Sequence, residues 1–193
     1  MAVTRASKLL TLTDNASGTS FSVSLKNVIK VIPSASNSII HYIDQAGSKT
    51  KRLVTEAASA IATASLSNDV AQLQLITLMD ASTMYVNNSR VVFVDTNASG
   101  SATLRLDEGE RRNSYYEFSL PTAANFRTAT DNLITVTILE TGVVRYINNL
   151  YIDIASSITG GCEVLYNTNR TSEFHKININ ITLASLRTLV NAL

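Results

Sequence analysis

The chain has 193 residues, and its 16 Lys and Arg side chains nearly balance its 15 Asp and Glu side chains, for a formal net charge of +1. Charged residues make up 16% of the sequence, below the ~25% of average soluble domains, whereas apolar residues make up 45%. The apolar share excludes wholesale disorder. The lack of a basic stripe argues against nucleic acid as a partner. A surface rich in Ser, Thr and Asn suits packing against neighbouring chains.

The N-terminal stretch and the single cysteine indicate the compartment. MAVTRASKLLTLTD (1–14) lacks the apolar core of a signal peptide, and no run approaches the ~18 apolar residues of a membrane span. Cys162 is the one cysteine, which excludes an intrachain disulfide and a cysteine-based metal site. We therefore expect a protein that is made in a reducing cytosol and has no membrane partner.

In chain order, the first predicted elements are short strands in which apolar and polar residues alternate. LLTLTD (9–14) is followed, after a polar turn, by NVIKVIPSASNSIIHYID (27–44), which predicts two strands around a second turn. In the second of these strands, the alternation predicts that Ile39, His41 and Ile43 share the buried face. The pattern is typical of a half-buried antiparallel pair.

The same pattern returns twice further along the chain. The later strand pairs and opening strands are RVVFVDTNASGSATLRLD (90–107), LYIDIASSITGGCEVLYN (150–167), LQLITLMD (73–80) and LITVTILE (133–140). The turns SASNS, NASGS and SITGG begin at residues 34, 97 and 157. Matching these turns aligns Ile29 with Val92 and Ile152, and it predicts that the three occupy equivalent positions.

A short helix is predicted near the end of each succession of strands. The three stretches and their N-caps are TEAASAIATASL (55–66) with Thr55, SLPTAANFRTA (119–129) with Ser119, and TLASLRTLVNAL (182–193) with Thr182. In the first helix Glu56 falls in the first turn, where the helix dipole favours an acid. In the third helix, apolar residues including Leu186 and Leu193 fall on one face.

Together these elements predict an α+β fold, mostly β, made of three tandem β-rich repeats of about 60 residues that each end in a short helix. The repeats are predicted at 1–67, 68–130 and 131–193. A unit of that size buries little surface by itself, so we expect the three to pack as one compact body. Three small sheets side by side also leave strand edges that can pair with partner chains.

Two motifs share spacing with known chemical sites. DTNASG (95–100) has oxygen-bearing side chains at positions 1, 3 and 5 and Gly at position 6, as in a calcium loop, but Leu106 stands where position 12 needs Glu. SKTK (48–51) has the S-x-x-K spacing of serine acyl enzymes, but it falls in a polar turn and lacks the K-T-G and S-D-N partners. Both motifs are interpreted as ordinary turns between strands.

The two histidines and Cys162 are the remaining candidates for chemistry. His41 is predicted to be partly buried, His175 to be a surface residue, and Cys162 to be a small buried hydrophobe. Local spacing places no carboxylate or hydroxyl beside His41. We therefore predict no catalytic, cofactor-binding or metal-binding residues, no cofactor, and a protein that is not an enzyme.

The low charge, the Ser/Thr/Asn-rich strands and the opening SKLLTLTDNASGTSFSVSLKNVIKVIP (7–33) give the chain a family resemblance. In these features it resembles virion structural proteins of tailed bacteriophages, particularly those of large marine phages. The resemblance implies a non-enzymatic protein that assembles in many copies, in a virion put together in the host cytoplasm. It implies partners such as the capsid protein or further copies of the chain. A threefold repeat suits a capsid decoration site or another head position.

Two alternatives remain open from the sequence. Tail, neck and baseplate proteins are also rich in β-structure, so a virion location outside the head is one of them. A cytosolic module that binds a ligand or peptide by adding it to a sheet edge is the other. Tyr115 and Tyr116 are candidate interface anchors under either interpretation, because aromatic side chains carry much of the energy of interfaces.

Overall fold

The computed structural model describes residues 9–66, 72–97, 99–107, 115–121, 133–167 and 174–191. Within these ranges the chain forms fifteen β-strands, three short 3₁₀ turns and two α-helices. The predicted α+β class, mostly β, is therefore confirmed. For Tyr115–Phe118, Asn167 and Phe174, only the backbone is considered.

The order of elements along the chain is a hairpin, a 3₁₀ turn and a three-stranded meander, and it occurs three times. The first succession is β1 (Leu9–Thr13), β2 (Ser20–Ser24), a turn (Leu25–Asn27), β3 (Val28–Ser34), β4 (Asn37–Ile43) and β5 (Lys49–Val54). The second is β6 (Leu73–Thr77), β7 (Thr83–Asn87), a turn (Asn88–Arg90), β8 (Val91–Thr96), β9 (Ala102–Asp107) and β10 (Tyr115–Leu120). The third is β11 (Leu133–Thr137), β12 (Val144–Asn148), a turn (Asn149–Tyr151), β13 (Ile152–Ile158), β14 (Gly161–Asn167) and β15 (Phe174–Ile179). Helix α1 (Ala58–Ser65) follows β5, and α2 (Leu183–Asn191) follows β15.

The strands form four antiparallel sheets, and the sheets do not coincide with the three successions. The first five-stranded sheet has the order β5-β4-β3-β7-β6, and the second has the order β10-β9-β8-β12-β11. In both, a meander is extended by the hairpin that follows it in the chain. The N-terminal hairpin, β1-β2, forms a sheet by itself, and the C-terminal sheet is β13-β14-β15.

The described residues divide into two compact units. One comprises the chain up to residue 77 together with 82–90, and the other comprises 78–81 together with the chain from 91 onward. The predicted repeat boundaries, at 67/68 and 130/131, lie outside the described residues. The division into three repeats of those lengths therefore stays a prediction.

In the first unit, the N-terminal hairpin packs on the meander that follows it. The alternation of β1 buries Leu10 and Leu12, and these side chains share a core with Val31, Ile40 and Ile61. Helix α1 lies over this core with one apolar face, which explains why an Ala-rich helix forms here: its small side chains pack closely against strands, and alanine has the best helix propensity.

The second unit repeats this arrangement with the third hairpin and the C-terminal sheet. Buried side chains of β11 and β12, such as Ile134 and Ile147, share a core with Val164, Ile179 and Leu186. Here the hairpin has two sets of contacts. It packs by one face on the C-terminal sheet, and β12 also pairs with β8 of the second five-stranded sheet.

The prediction of where the first helix begins is wrong by two residues. The residue that caps α1 is Ala57, without a side-chain hydrogen bond, and neither Thr55 nor Glu56 belongs to the helix. The Thr55 N–H donates to the Thr13 carbonyl over 3.0 Å, which holds this segment against β1. The two Glu56 carboxylate oxygens accept the Thr13 N–H at 2.9 and 3.1 Å. Glu56 therefore binds the backbone at the end of β1 instead of the first turn of the helix.

The other two predicted helices have different outcomes. Ser119 lies in β10, so its predicted role as an N-cap is wrong, and residues 122–129 of that stretch lie outside the described chain. The predicted cap of the last helix is confirmed, because Thr182 Oγ1 accepts the Ser185 N–H at 3.2 Å. Leu186 faces the core as predicted, whereas Leu193 lies beyond the described residues.

The predicted buried face of β4 is wrong by one residue. Ser38, Ile40 and Tyr42 are buried, and the intervening residues Ile39 and His41 are only partly buried. The cause is turn length. Ser34 pairs with Asn37 across two residues, whereas Thr96 pairs with Ala102 across five. Matching the turns therefore shifts the strand after the first turn onto its opposite face, because side chains alternate with period two.

A register irregularity near the start of β3, β8 and β13 corrects the alignment before the turn. It falls between Val28 and Lys30, between Val91 and Phe93, and between Ile152 and Ile154. Ile152 thus stands where Val28 and Val91 stand. The predicted equivalence of Ile29 and Val92 agrees with this registration, but the predicted equivalence of Ile152 is wrong by one residue.

Gly161 begins β14 at a point where the backbone of β15 approaches closely. A Cβ atom at Gly161 would lie 1.9 Å from the Ile179 carbonyl oxygen. Replacing Gly161 with alanine should lower the free energy of unfolding by about 1–3 kcal/mol, as overpacking does. Denaturant titration measures this loss. Thr159→Ala, in the exposed turn just before it, is the matched control, and an equal effect of the two variants would contradict the close approach.

Candidate functional site

In both sequence motifs with known spacings, the polar side chains are engaged in hydrogen bonds within the chain. Ser48 lies in the turn after β4, where its N–H donates to Asp44 Oδ1 at 2.9 Å and its carbonyl accepts the Asp44 N–H. Lys51 lies on β5. The S-x-x-K spacing therefore spans a turn and a strand, as interpreted, and provides no helix start for an acyl enzyme.

The calcium-like motif is likewise a turn, and its first residue has another partner. Asp95 is held by Arg145, with Nε 2.5 Å from Oδ1 and Nη2 2.6 Å from Oδ2. Asn97 donates through Nδ2 to Ser101 Oγ at 3.0 Å. In the part of the chain that the structure describes, no group of three or more His, Cys, Asp and Glu side chains could hold a metal ion.

Cys162 and His175 lie in the second unit and are both removed from solvent to some degree. Cys162 is fully buried on β14, as predicted, and burial raises the pKa of its thiol, so the reactive thiolate is disfavoured. His175 is partly buried and stacks on the Tyr166 ring with centroids 5.6 Å apart. Its predicted place at the surface is therefore wrong, because an aromatic neighbour on the adjacent strand covers it.

His41 is surrounded by basic groups and acts as a neutral side chain. Burial, and after it the charges of Lys30, Lys49 and Lys51, together lower the pKa of His41 to about 4. Burial likewise lowers the pKa of Lys30 to about 8. An imidazole with this pKa is almost wholly unprotonated at neutral pH and is a weak proton acceptor, so it is poorly suited to general base catalysis.

The low pKa of His41 predicts a pH dependence of stability. The unfolded chain binds a proton at His41 near pH 6.5, and the folded chain only near pH 4, so the free energy of unfolding should fall as pH falls from about 6.5 to about 4. The slope from this residue should stay below ~1.4 kcal/mol per pH unit, because His41 is only partly buried. Denaturant titrations of wild type and His41→Gln across this range measure the effect. A variant whose slope equals that of wild type would contradict the assignment.

A polar cluster that the sequence did not indicate joins three strands of the second unit. Besides Asp95, the Arg145 guanidinium contacts the Tyr166 hydroxyl at 3.1 Å and lies 4.0 Å from the centroid of the Phe93 ring. Burial by itself lowers the pKa of Arg145, and the hydrogen bonds and charge of Asp95 more than offset it. Asp95 and Arg145 are far apart in sequence, so no local spacing predicts the pair. The cluster ties β8, β12 and β14 together.

Two buried asparagines hold hairpins against the preceding meanders. Asn87, the last residue of β7, donates through Nδ2 to the carbonyls of Leu25 at 3.0 Å and Val28 at 2.7 Å. Asn148, the last residue of β12, donates in the same way to the Val91 carbonyl at 2.8 Å. Both side chains are fully buried. Each asparagine therefore fixes the end of a hairpin strand to the first residues of the meander that it extends.

Two strand edges lack the partner that their counterparts have. β3 pairs with β7 and β8 pairs with β12, but β13 pairs only with β14 among the described strands. Likewise β7 and β12 each join a meander, whereas within the part of the chain that the structure describes β2 pairs only with β1. Exposed edges of this kind offer unpaired backbone groups to another chain. These two edges are the candidate functional site.

Burial distinguishes the β13 edge from its counterparts. Ile154 is 55% exposed, whereas Phe93, in the same place on β8, is 3% exposed and Lys30 on β3 is 5% exposed. An isoleucine exposed to this extent on an open edge marks a surface that is suited to burial against a partner. Tyr115 and Tyr116, the anchors predicted from the sequence, lie on β10, an edge strand of the second five-stranded sheet.

Comparison of the chain with protein-family models, with curated proteins and with solved structures finds no match. Neither of the two helices in the described ranges has the length and apolar character needed to cross a membrane.

Proposed function

We propose that this chain is a non-enzymatic assembly protein of a phage virion, most simply a head component such as a capsid decoration protein. The observation that supports it most is the pair of open strand edges, one of which carries the exposed Ile154. Backbone pairing at such edges provides affinity without a catalytic pocket. The low charge lowers the cost of removing these surfaces from water.

We further infer that the chain consists of three tandem copies of one structural unit. Each would comprise a hairpin, a 3₁₀ turn and a three-stranded meander. The support is the recurring element order and the register irregularity near the start of β3, β8 and β13. A further support is that the segment after each opening strand donates to the end of its meander. The three donor–acceptor pairs are Asn15 N to Leu53 O, Met79 N to Ser119 O, and Leu139 N to Asn178 O.

The same strand edges would also serve the two alternative functions. A tail, neck or baseplate component would also assemble through strand edges. A cytosolic module would take an extended peptide onto β13 and remain monomeric. The chemistry of the candidate residues does not favour an enzyme. Cys162 is buried in its protonated thiol form, and His41 is neutral and lies near lysines.

The test of this proposal is the presence and copy number of the chain in particles. Mass spectrometry of virions purified from a phage that encodes the chain should find it in many copies per particle, together with the capsid protein. Full-length variants His41→Gln and Ser48→Ala should be incorporated as well as wild type, because neither residue lies on the open edges. Particles that lack the chain would contradict the proposal.

A further inference from the structure

We propose that copies of this chain join head to tail, with β2 of one copy pairing antiparallel with β13 of the next. The inference rests on the proposed function in one respect, namely that the chain assembles in many copies. It goes further because it names the two surfaces, the partner and the register of the strands. It makes β2 the donor edge and β13 the acceptor edge of every copy.

The internal pairings provide the template. Where β7 joins β3, Val86 lies opposite Lys30 and Tyr85 opposite Val31. Where β12 joins β8, the pairing has the same direction and runs over three residue pairs. These pairs are Ile147 with Phe93, Tyr146 with Val94, and Arg145 with Asp95. The second strand of a hairpin thus joins the first strand of a meander in both cases.

The donor strand β2 has the same place in its hairpin as β7 and β12. Ser24, Asn87 and Asn148 each end the second strand and lie opposite Leu9, Leu73 and Leu133, the first residues of the opening strands. Counting back from these ends, Val23 stands where Val86 and Ile147 stand, and Phe21 stands where Arg145 stands. Of the three hairpins, only the N-terminal one joins no meander among the described strands.

The acceptor strand β13 corresponds to β3 and β8 through the register irregularity that the three share. Ile154 then stands where Lys30 and Phe93 stand, and Ser156 stands where Asp95 stands. Transfer of the template places Val23 of one copy opposite Ile154 of the next, and Phe21 opposite Ser156. One residue pair further along, Ser20 lies opposite Ser157. Ser20 stands where Val144 stands and Ser157 where Thr96 stands, and in that internal pair Thr96 Oγ1 donates to the Val144 carbonyl.

The exposure of β13 agrees with this assignment. Val28 to Val31 and Val91 to Val94 are all buried, whereas their counterparts on β13 are partly or largely exposed. In the second unit, the internal counterpart Phe93 packs edge-on against Tyr166, with ring centroids 6.0 Å apart. Tyr42 stands on β4 where Tyr166 stands on β14. Ile154 should therefore become buried against Val23 and Tyr42 of the copy that donates β2.

A second copy of the chain is the partner that fits both edges. By analogy with the internal pairings, β13 would pair with a hairpin and β2 would pair with a meander. A second copy of the chain supplies both of these elements. Because the two surfaces differ, the contact is heterologous, and repeated addition closes a ring or extends a filament.

Cross-linking of two single-cysteine variants tests the pairing. Ser20 and Ser157 are exposed, so Ser20→Cys and Ser157→Cys are conservative changes, and the native Cys162 is fully buried. The full-length variants are treated with a short bismaleimide, each alone and in an equal mixture. We expect a two-chain product in the mixture and none with either variant alone. Adding Ile154→Lys to the Ser157→Cys chain should largely abolish the product. Adding Leu75→Lys, at a strand position that is 51% exposed, should not.

Sedimentation of the wild-type chain, run in parallel, separates this inference from the proposed function. Multi-copy species without a mixed product would overturn the β2–β13 pairing and leave the assembly proposal standing. A monomer at every concentration, without a product, would overturn both. If the double variant Ser20→Cys/Ser157→Cys were cross-linked within single chains at high dilution, the two edges would meet inside one molecule, and that result would also overturn the inference. Circular dichroism confirms that each variant is folded.

Discussion

Replacing Leu104 by alanine is expected to lower the free energy of unfolding by about 2–5 kcal/mol, the range for truncating a fully buried leucine. Leu104 is 0% exposed and lies on β9, between Val94 on one neighbouring strand and Phe118 on the other. An interior strand of a five-stranded sheet, such as β9, cannot move to fill the cavity without breaking pairs on both sides. The loss should therefore be large.

Denaturant titration of the full-length chain measures this loss, with Ser36→Ala as the matched control. Ser36 lies in the exposed two-residue turn between β3 and β4, so its truncation should change the free energy of unfolding by less than ~0.5 kcal/mol. Similar shifts of the unfolding midpoint for the two variants would show that β9 does not lie in a packed core.

The second large effect is expected at the Asp95–Arg145 pair. Removing one partner of a buried ion pair leaves an uncompensated charge and costs roughly 3–5 kcal/mol. The Arg145 side chain is 11% exposed and that of Asp95 is 20% exposed, so we expect a somewhat smaller loss, about 2–4 kcal/mol, for Asp95→Ala. The guanidinium would keep its contacts with Tyr166 and Phe93 but lose its counter-charge.

The double variant Asp95→Ala/Arg145→Met tells this mechanism apart from simple loss of packing. If the charge left behind causes the damage, the double variant should be more stable than the sum of the two single losses predicts. Strict additivity in a double-mutant cycle would contradict the coupling. Because the pair is mostly buried, added salt should change the coupling little.

Local alternation of apolar and polar residues predicted the strands because it depends only on neighbouring residues. LLTLTD, LQLITLMD and LITVTILE all contain strands where they were expected, at Leu9–Thr13, Leu73–Thr77 and Leu133–Thr137. The faces of the strands were harder to predict. A turn that is longer in one place than in another shifts every following residue, which is why His41 was placed one residue away from the equivalent of Leu104. Ile152 precedes its turn, and it was misplaced because Ser34 was matched to Ser157, whereas Ser34 and Ile158 are the residues that close the two turns.

Features that depend on distant residues could not be predicted. Thr55 has the side chain of a helix cap, but its backbone is bound to Thr13, more than forty residues earlier. The pairing of a hairpin with the preceding meander, and the Asp95–Arg145 pair, join residues that no local pattern connects. The sequence did indicate that strand edges would be left open, because several small sheets have more edges than one large sheet. Only the structure shows that, among the described strands, β2 and β13 lack the partners that their counterparts have.

Sedimentation velocity of the full-length chain over a wide concentration range tests most directly the claim that this protein works by assembly. The account predicts species larger than one chain that grow with concentration, for wild type and for Leu75→Lys alike. It predicts a predominantly monomeric Ile154→Lys, because a lysine on the β13 edge opposes strand pairing. A wild-type chain that remains monomeric at every concentration, with a sedimentation profile the same as that of Ile154→Lys, would contradict it.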